Sequence, residues 1–272
     1  MDPLLQRRIQ RYGWDKAATY YELYWQRQLE PAQLRLLEMA ALQSGELVLD
    51  IACGTGRLTF RMASLIGPQG EVFGADISDN MIAIASRAAA EKKIDNVRFE
   101  RMDAEELSVP SAGYNAAICS LGLMYVTDAL KAAREMHRSL KPGGRAVAAV
   151  WGQRSKCGWA EIFPIVESRV ASEVCPLFFQ QGTGDTLANT FLEAGMVNVR
   201  SERLTVPLYY ESSEEACGAA FIGGPVALAY SRFNDKMKKE AEADYLASIE
   251  PFRKGEGYLV PGEFVIVAGF KE

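Results

Sequence analysis

Apolar and polar positions alternate along this chain in a way that predicts strands and helices in turn. Leu47 to Ile51 is an apolar run broken only by Asp50, which suits a strand covered on both faces. Further strands are predicted at Val72 to Ala75, Val97 to Arg101, Ala116 to Leu121 and Arg145 to Val150. Helical patterns lie between them, from Arg57 to Ile66, after Ser78 as N-cap, and from near Thr127. Such alternation makes a parallel sheet with right-handed crossovers. Upstream, Ala17 to Gln28 and Pro31 to Leu42 predict two helices, with Pro31 suited to the first turn of the second. After Trp151 the spacing changes. Asp185 to Ala194 reads as a helix ended by Gly195, a strand lies within Val197 to Leu208, and the last strand is Glu263 to Phe270. The roughly fifty residues between those strands have helical character and open on a capping box, Ser212-x-x-Glu215. Within them Phe221-Ile-Gly-Gly-Pro225, Tyr230 and Phe233 suit either a lid on an apolar pocket or packing of the insertion onto the body. Lys236 to Asp244 reads as a solvated helix face.

The first strand empties into Ala52-Cys53-Gly54-Thr55-Gly56, where two glycines supply positive φ or the absence of a Cβ. Dinucleotide-binding domains also use such a turn, but the third glycine of their motif is Thr59 here, so the close helix–strand packing it serves is not encoded. Two acids follow at strand ends. Asp76 can accept two hydrogen bonds from a ribose diol, Asp103 can accept from an adenine amine, and the Ala104 N–H can donate to a ring nitrogen. Together they form a nucleoside reader.

With Leu140-Lys-Pro-Gly-Gly144 closing the turn before the fifth strand, residues Trp14 to Val150 resemble the class I S-adenosylmethionine-dependent methyltransferases. Within that superfamily the likeness is to the group around ubiquinone and menaquinone biosynthesis, through Trp14-Asp-Lys-Ala-Ala-Thr-Tyr-Tyr21, Asp50 to Gly56, and Arg138 to Gly144. The signature that follows the tyrosine in the quinone enzymes is replaced by Glu22-Leu-Tyr-Trp-Gln-Arg. The resemblance therefore carries the cofactor site and not the quinone substrate. It implies an α/β fold with a doubly wound, mostly parallel seven-stranded sheet, N-terminal helices and a helical cap insertion, and S-adenosylmethionine as cofactor. It further implies that Asp50, Ala52, Gly54 and Gly56 line the methionine part, Asp76 binds the ribose and Ile77 packs on the adenine. Asp103 and Ala104 would bind the adenine edge, Ser120 would offer its carbonyl to the amino group, and Tyr21 would reach the carboxylate. Two departures stand out: Ala52 replaces the first loop glycine, and Tyr114-Asn115 replaces an aromatic–Asp pair whose charge would assist the cofactor's ammonium or sulfonium.

At 272 residues and 49% hydrophobic, the chain is long enough for one large α/β domain with insertions. The expected division is a helical cap over 1–43, a cofactor-binding core over 44–151, its continuation with a helical insert over 152–210, a lid insertion over 211–261, and the last strand over 262–272. The net charge of −5 and the lack of a basic run argue against nucleic acid, as does the absence of the Asn/Asp-Pro-Pro-aromatic turn that the resemblance would imply for base methylation. The five cysteines, Cys53, Cys119, Cys157, Cys175 and Cys217, have no metal-ligand spacing and fit a reduced cytosol. No metal is expected, Cys53 and Cys119 read as packing residues, and no run approaches the ~18 apolar residues of a membrane span. A cytoplasmic protein is expected.

Methyl transfer from a sulfonium is an in-line displacement, in which alignment alone supplies on the order of 7–11 kcal/mol. The one histidine, His137, lies about ten residues into its helix, pointing away from the strand ends where ligands bind. Either the acceptor is already nucleophilic, a thiolate, amine, enolate-like or electron-rich aromatic carbon, or the base is a Tyr, Asp or Glu; the first is the favoured expectation. Met124, Tyr125, Trp151 and Trp159 follow the ends of strands four and five and are the candidates to face a small apolar or aromatic acceptor, with Tyr209 and Phe221 behind them. Tyr125 and Trp151 are the candidates for a part in catalysis. A non-catalytic regulator that binds the cofactor, and a nicotinamide-dependent oxidoreductase, are the competing readings.

Overall fold

The computed structural model describes residues 3–170, 175 and 177–272; positions 1–2, 171–174 and 176, which the expected segments 1–43 and 152–210 include, lie outside the described residues. Five parallel strands form the heart of the sheet: β1 (Leu47–Ile51), β2 (Glu71–Asp76), β3 (Val97–Arg101), β4 (Tyr114–Ser120) and β5 (Leu140–Trp151). They are joined by α2 (Arg57–Ile66), α3 (Asp79–Lys92) and α4 (Ala129–Ser139). Then come α5 (Ile162–Glu167), α6 (Thr186–Glu193), β6 (Val197–Tyr210), α7 (Ser213–Cys217), α8 (Ala227–Tyr230), α9 (Asp235–Ile249), β7 (Arg253–Lys254) and β8 (Gly257–Phe270). The order is β3-β2-β1-β4-β5-β8-β6, with β8 antiparallel to both neighbours. The expected seven strands form this path, and β7 is an eighth, a two-residue strand paired to the start of β8.

Both faces of the sheet are covered, and the strands divide their side chains by alternation. Val48, Ala116, Ile118, Val147 and Ala149 face a core with α2, whereas Leu49, Ile51, Ala117, Cys119, Ala146 and Ala148 face the other. The edge strand β3 is mostly exposed and carries Arg98, Glu100 and Arg101, which discourage further pairing.

The expected pair of N-terminal helices is one helix, α1 (Pro3–Ala40), with Pro31 in its interior. Proline cannot donate to the carbonyl four residues back. The helix nevertheless continues because one buried stripe, Ala18, Trp25, Leu29, Ala32, Leu36 and Ala40, runs through the proline and packs on the body. The Lys141-Pro-Gly-Gly144 turn lies inside β5 as a register shift against β4, with Gly143 at φ 78°. Ser212 caps α7 by accepting from the Glu215 N–H, but Glu215 returns its bond to the Glu211 N–H, one residue before the position of a capping box.

Candidate active site

The carboxyl ends of β1, β2, β4 and β5 and the stretch of α1 from Arg7 to Leu29 enclose a cavity of about 1030 Å³, its open mouth included. A narrower lobe adjoins it, and Tyr21, Leu29, Ala52, Gly54 and Ser120 line both.

The loop after β1 explains its own sequence. Ala52, Gly54 and Gly56 have φ of 57°, 56° and 82°. Left-handed geometry is free for glycine and costs alanine ~1–2 kcal/mol, so the departure at Ala52 stores strain beside the cavity. A Cβ on Gly54 would meet nothing within 4 Å and would point into open space. Gly56 does not line the cavity, contrary to expectation. A Cβ there would stand 2.9 Å from the Phe99 ring and 3.1 Å from Phe60, so this glycine serves helix–strand packing.

Asp76 closes β2. One carboxylate oxygen accepts from the Gly54 N–H and the other from the Ser78 N–H, both at 2.9 Å. Burial pushes its pKa up to about 6 despite those bonds. Asp50 lines the narrower lobe, and burial raises it to about 7, against a 2.6 Å bond from the buried Thr59 hydroxyl. Thr59 thus braces a carboxylate where dinucleotide folds place a glycine. Ile77, Asp103, Ala104 and Ser120 line the wide lobe. The buried Ser120 hydroxyl has no hydrogen-bond partner, a polar atom available to a ligand.

Of the acceptor-side candidates, Met124, Tyr125, Trp151 and Trp159 line the wide lobe. Trp151 stacks on Phe264 at 4.1 Å and meets Trp159 edge-on at 4.8 Å. Tyr209 is not brought in: inward and outward residues alternate along β6, Tyr210 is buried, and Tyr209 lies outside under the Arg27 guanidinium. Phe221 is not brought in either, being packed between Tyr230 and Tyr245 inside the insertion. The insertion reaches the cavity through Gly224 and Pro225.

Sequence reasoning missed most of what α1 contributes. Arg7, Gln10, Trp14, Trp25 and Leu29 line the wide lobe, and Arg7 pairs with both Asp103, at 3.1 Å, and Glu105. Hydrogen bonds from Thr127 and Arg7 hold Glu105 below the usual carboxylate range, against the burial that would raise it. Gln26, Gln33 and Arg57 line the narrower lobe, a polar surround that no motif announced. Asn115 lies at the other end of β4, where its oxygen accepts from the Leu47 N–H and Lys141, so the missing charge there does not bear on the site.

His137 ends α4 far from the cavity, beside Gly195 and Lys271, and burial and the Lys271 charge lower its pKa. Its replacement by alanine should leave turnover within about threefold of wild type, against the ~10²–10⁴ lost with a general base. A hundredfold fall in kcat at an unchanged Tm would overturn that placement.

A strand order of this kind, with a Gly-rich turn after β1 and an acid at the end of β2, defines the Rossmann-like fold of class I methyltransferases. Residues 42–172 match the family of methyltransferase domains, just under half of the chain. The sequence is 35% identical over 127 residues to a demethylmenaquinone methyltransferase of Listeria monocytogenes, covering 47% of this chain and 54% of that one. It is 43% identical over 110 residues to the ubiquinone/menaquinone biosynthesis C-methyltransferase UbiE of Ectopseudomonas mendocina, covering 40% and 43%. The chain thus spans about half the length of these curated relatives. Its fold is similar to that of the phosphoethanolamine N-methyltransferase 2 of Haemonchus contortus, solved with S-adenosyl-L-methionine, with a TM-score of 0.64, 17% identity, and coverage of 94% of this chain and 57% of that one. The chain resembles the ubiquinone/menaquinone methyltransferase group of class I.

Proposed function

We propose that this protein is an S-adenosylmethionine-dependent methyltransferase acting on a small apolar or aromatic molecule by direct in-line displacement. The observation that carries the reading is the Asp76 carboxylate in the wall of the ring-lined lobe, fixed by the N–H groups of Ser78 and of Gly54, which lines both that lobe and the polar one. The residues present fit the cofactor. Asp76 would hold the ribose hydroxyls, Ile77 the adenine face, and Asp103 and Ala104 its edge. Asp50, Gln26, Gln33 and Arg57 would surround the amino-acid end, with Ser120 and Tyr21 beside it. The bound cofactor would supply an electrophilic methyl on a sulfonium. The protein's part is to align, to exclude water with the rings of the wide lobe, and to do so without a histidine base. Among the described residues no His/Cys/Asp/Glu cluster could hold a metal, and no helix is long and apolar enough to cross a membrane. We read the chain as one cytoplasmic domain.

Mass spectrometry of small molecules released from the purified protein tests the reading directly: S-adenosylmethionine or S-adenosylhomocysteine supports it, and a nicotinamide dinucleotide overturns it. A regulator that binds the cofactor without transfer is the second reading, favoured by the missing histidine base, and turnover of any acceptor excludes it.

Asp76→Ala should weaken S-adenosylmethionine binding by ~1.5–3 kcal/mol in calorimetric titration, since charge-assisted bonds to two hydroxyls are lost. Unchanged affinity with an intact fold would remove this crevice from consideration.

Affinity should also depend on pH. The raised pKa of Asp76 means the ligand-free fold holds its proton more tightly than an unfolded chain does. That contribution to stability is present in acid and lost as pH rises through about 6. A ligand that bonds to the carboxylate favours the opposite form and expels the proton. Binding should therefore weaken about tenfold from pH 7 to pH 5, with proton release visible in buffers of different ionisation enthalpy. A flat profile would show that Asp76 is not the ribose acceptor.

A further inference from the structure

Deepening the proposed methyl transfer, and resting on it, we propose that the acceptor atom is a nitrogen that carries no hydrogen, a tertiary amine or pyridine-type nitrogen on an otherwise apolar molecule, and that the cationic product is held by the ring faces of the wide lobe. Its wall includes the rings of Trp14, Trp25, Tyr125, Trp151, Trp159 and Phe178. Among the described residues no lysine lines it, and its one arginine, Arg7, is committed to Asp103 and Glu105. A thiolate, phenolate or carboxylate would be stripped of water there with no cationic side chain to meet it, leaving the cofactor's sulfonium as its only counter-charge.

Proton bookkeeping narrows the choice further. Methylation of a hydroxyl, a thiol or a C–H carbon leaves a proton that some group must take. The carboxylates of this lobe belong to the ends of β2 and β3 and are already engaged. Asp76 accepts from Gly54 and Ser78, Asp103 from the Glu105 N–H and Arg7, and Glu105 from Thr127, Asp128 and Arg7. The ring-lined part comes instead from α1, the loop after β4 and the chain after β5, which among the described residues place no imidazole or carboxylate in its wall. Burial pushes the Tyr21 and Tyr125 phenols up, so both keep their protons at neutral pH. A hydrogen-free nitrogen closes the balance without a base. Its lone pair forms the N–C bond as the S–C bond breaks, sulfur keeps the electron pair, and the positive charge passes from sulfur to nitrogen. No proton moves. Aromatic faces are the surroundings that favour an ammonium product without a neutralising anion. The buried Trp159 indole N–H, which has no hydrogen-bond partner, adds a donor for a neutral oxygen on the acceptor.

The test compares benzyltrimethylammonium with its neutral isostere neopentylbenzene, titrated into protein saturated with S-adenosylhomocysteine and read by calorimetry. The cation should bind at least tenfold more tightly. Trp14→Leu should cost the cation fivefold or more and the isostere less than twofold, with circular dichroism confirming the fold. In parallel, N,N-dimethylbenzylamine, phenylmethanethiol and hydroquinone are offered with S-adenosylmethionine, and products are read by mass spectrometry; the amine should be preferred. Equal or tighter binding of the isostere, no binding of the cation, or preferred methylation of the thiol or the phenol overturns the inference. Failure of S-adenosylhomocysteine itself to bind overturns the proposed function instead, so the two are separable.

Discussion

Replacing Gly54 by valine should abolish cofactor binding, lowering affinity for S-adenosylhomocysteine by more than about a hundredfold, or ~3 kcal/mol. Two effects act together. The Cβ points into open space where a ligand held by Asp76 must lie, and φ of 56° is one that a β-branched residue resists. Strain of ~1–2 kcal/mol should lower Tm by only about 2–6 °C. Calorimetric titration and thermal unfolding should therefore disagree sharply. Gly56→Ala provides the contrast: its methyl would press on Phe99, Phe60 and Ala85, so the loss there should fall chiefly on stability. Normal binding by Gly54→Val would mean that the loop does not approach the ligand.

Trp151→Ala should be the most destabilising of the cavity substitutions, at ~3–5 kcal/mol. The indole is buried at the end of β5, stacked on Phe264 and packed edge-on against Trp25 and Trp159, so its removal opens a void that β5 and β8 cannot close without shifting their pairing. A fall in Tm of about 10 °C is expected. Because loss of activity alone would be ambiguous, Trp151→Phe is the informative partner. It retains much of the packing and should recover most of the stability. If it also recovers turnover, Trp151 acts by shaping the wide lobe, whereas stability without turnover points to direct contact with the acceptor. A Tm unchanged by Trp151→Ala would show that the ring stack does not hold this end of the sheet together.

The parts of the site legible in the sequence are those where one short segment does the work. A strand, a left-handed loop and a helix follow one another from Leu47 to Ile66, so the loop's glycines and Asp50 can be read in place, and Asp76 is marked by the end of an apolar run. Alternation of strand and helix likewise fixed the parallel core, because a buried strand must be apolar on both faces wherever it lies. Local pattern does not report which distant elements meet. Arg7 reaches Asp103 and Glu105 across nearly a hundred residues, and the roles of Trp14, Trp25 and Phe178 as walls exist only once α1 and the chain after β5 fold over the strand ends. The continuity of α1 through Pro31 was decided the same way, by a buried stripe whose packing outweighs a lost hydrogen bond. Tyr209 and Phe221 show the limit most plainly. Both are aromatic residues near the right elements, yet strand parity turns one outward and the insertion's own core absorbs the other. The sequence by itself determined the order of elements and the loop chemistry, since these depend on neighbours along the chain; the tertiary structure alone decided which side chains share a cavity, since that depends on packing between segments far apart in sequence.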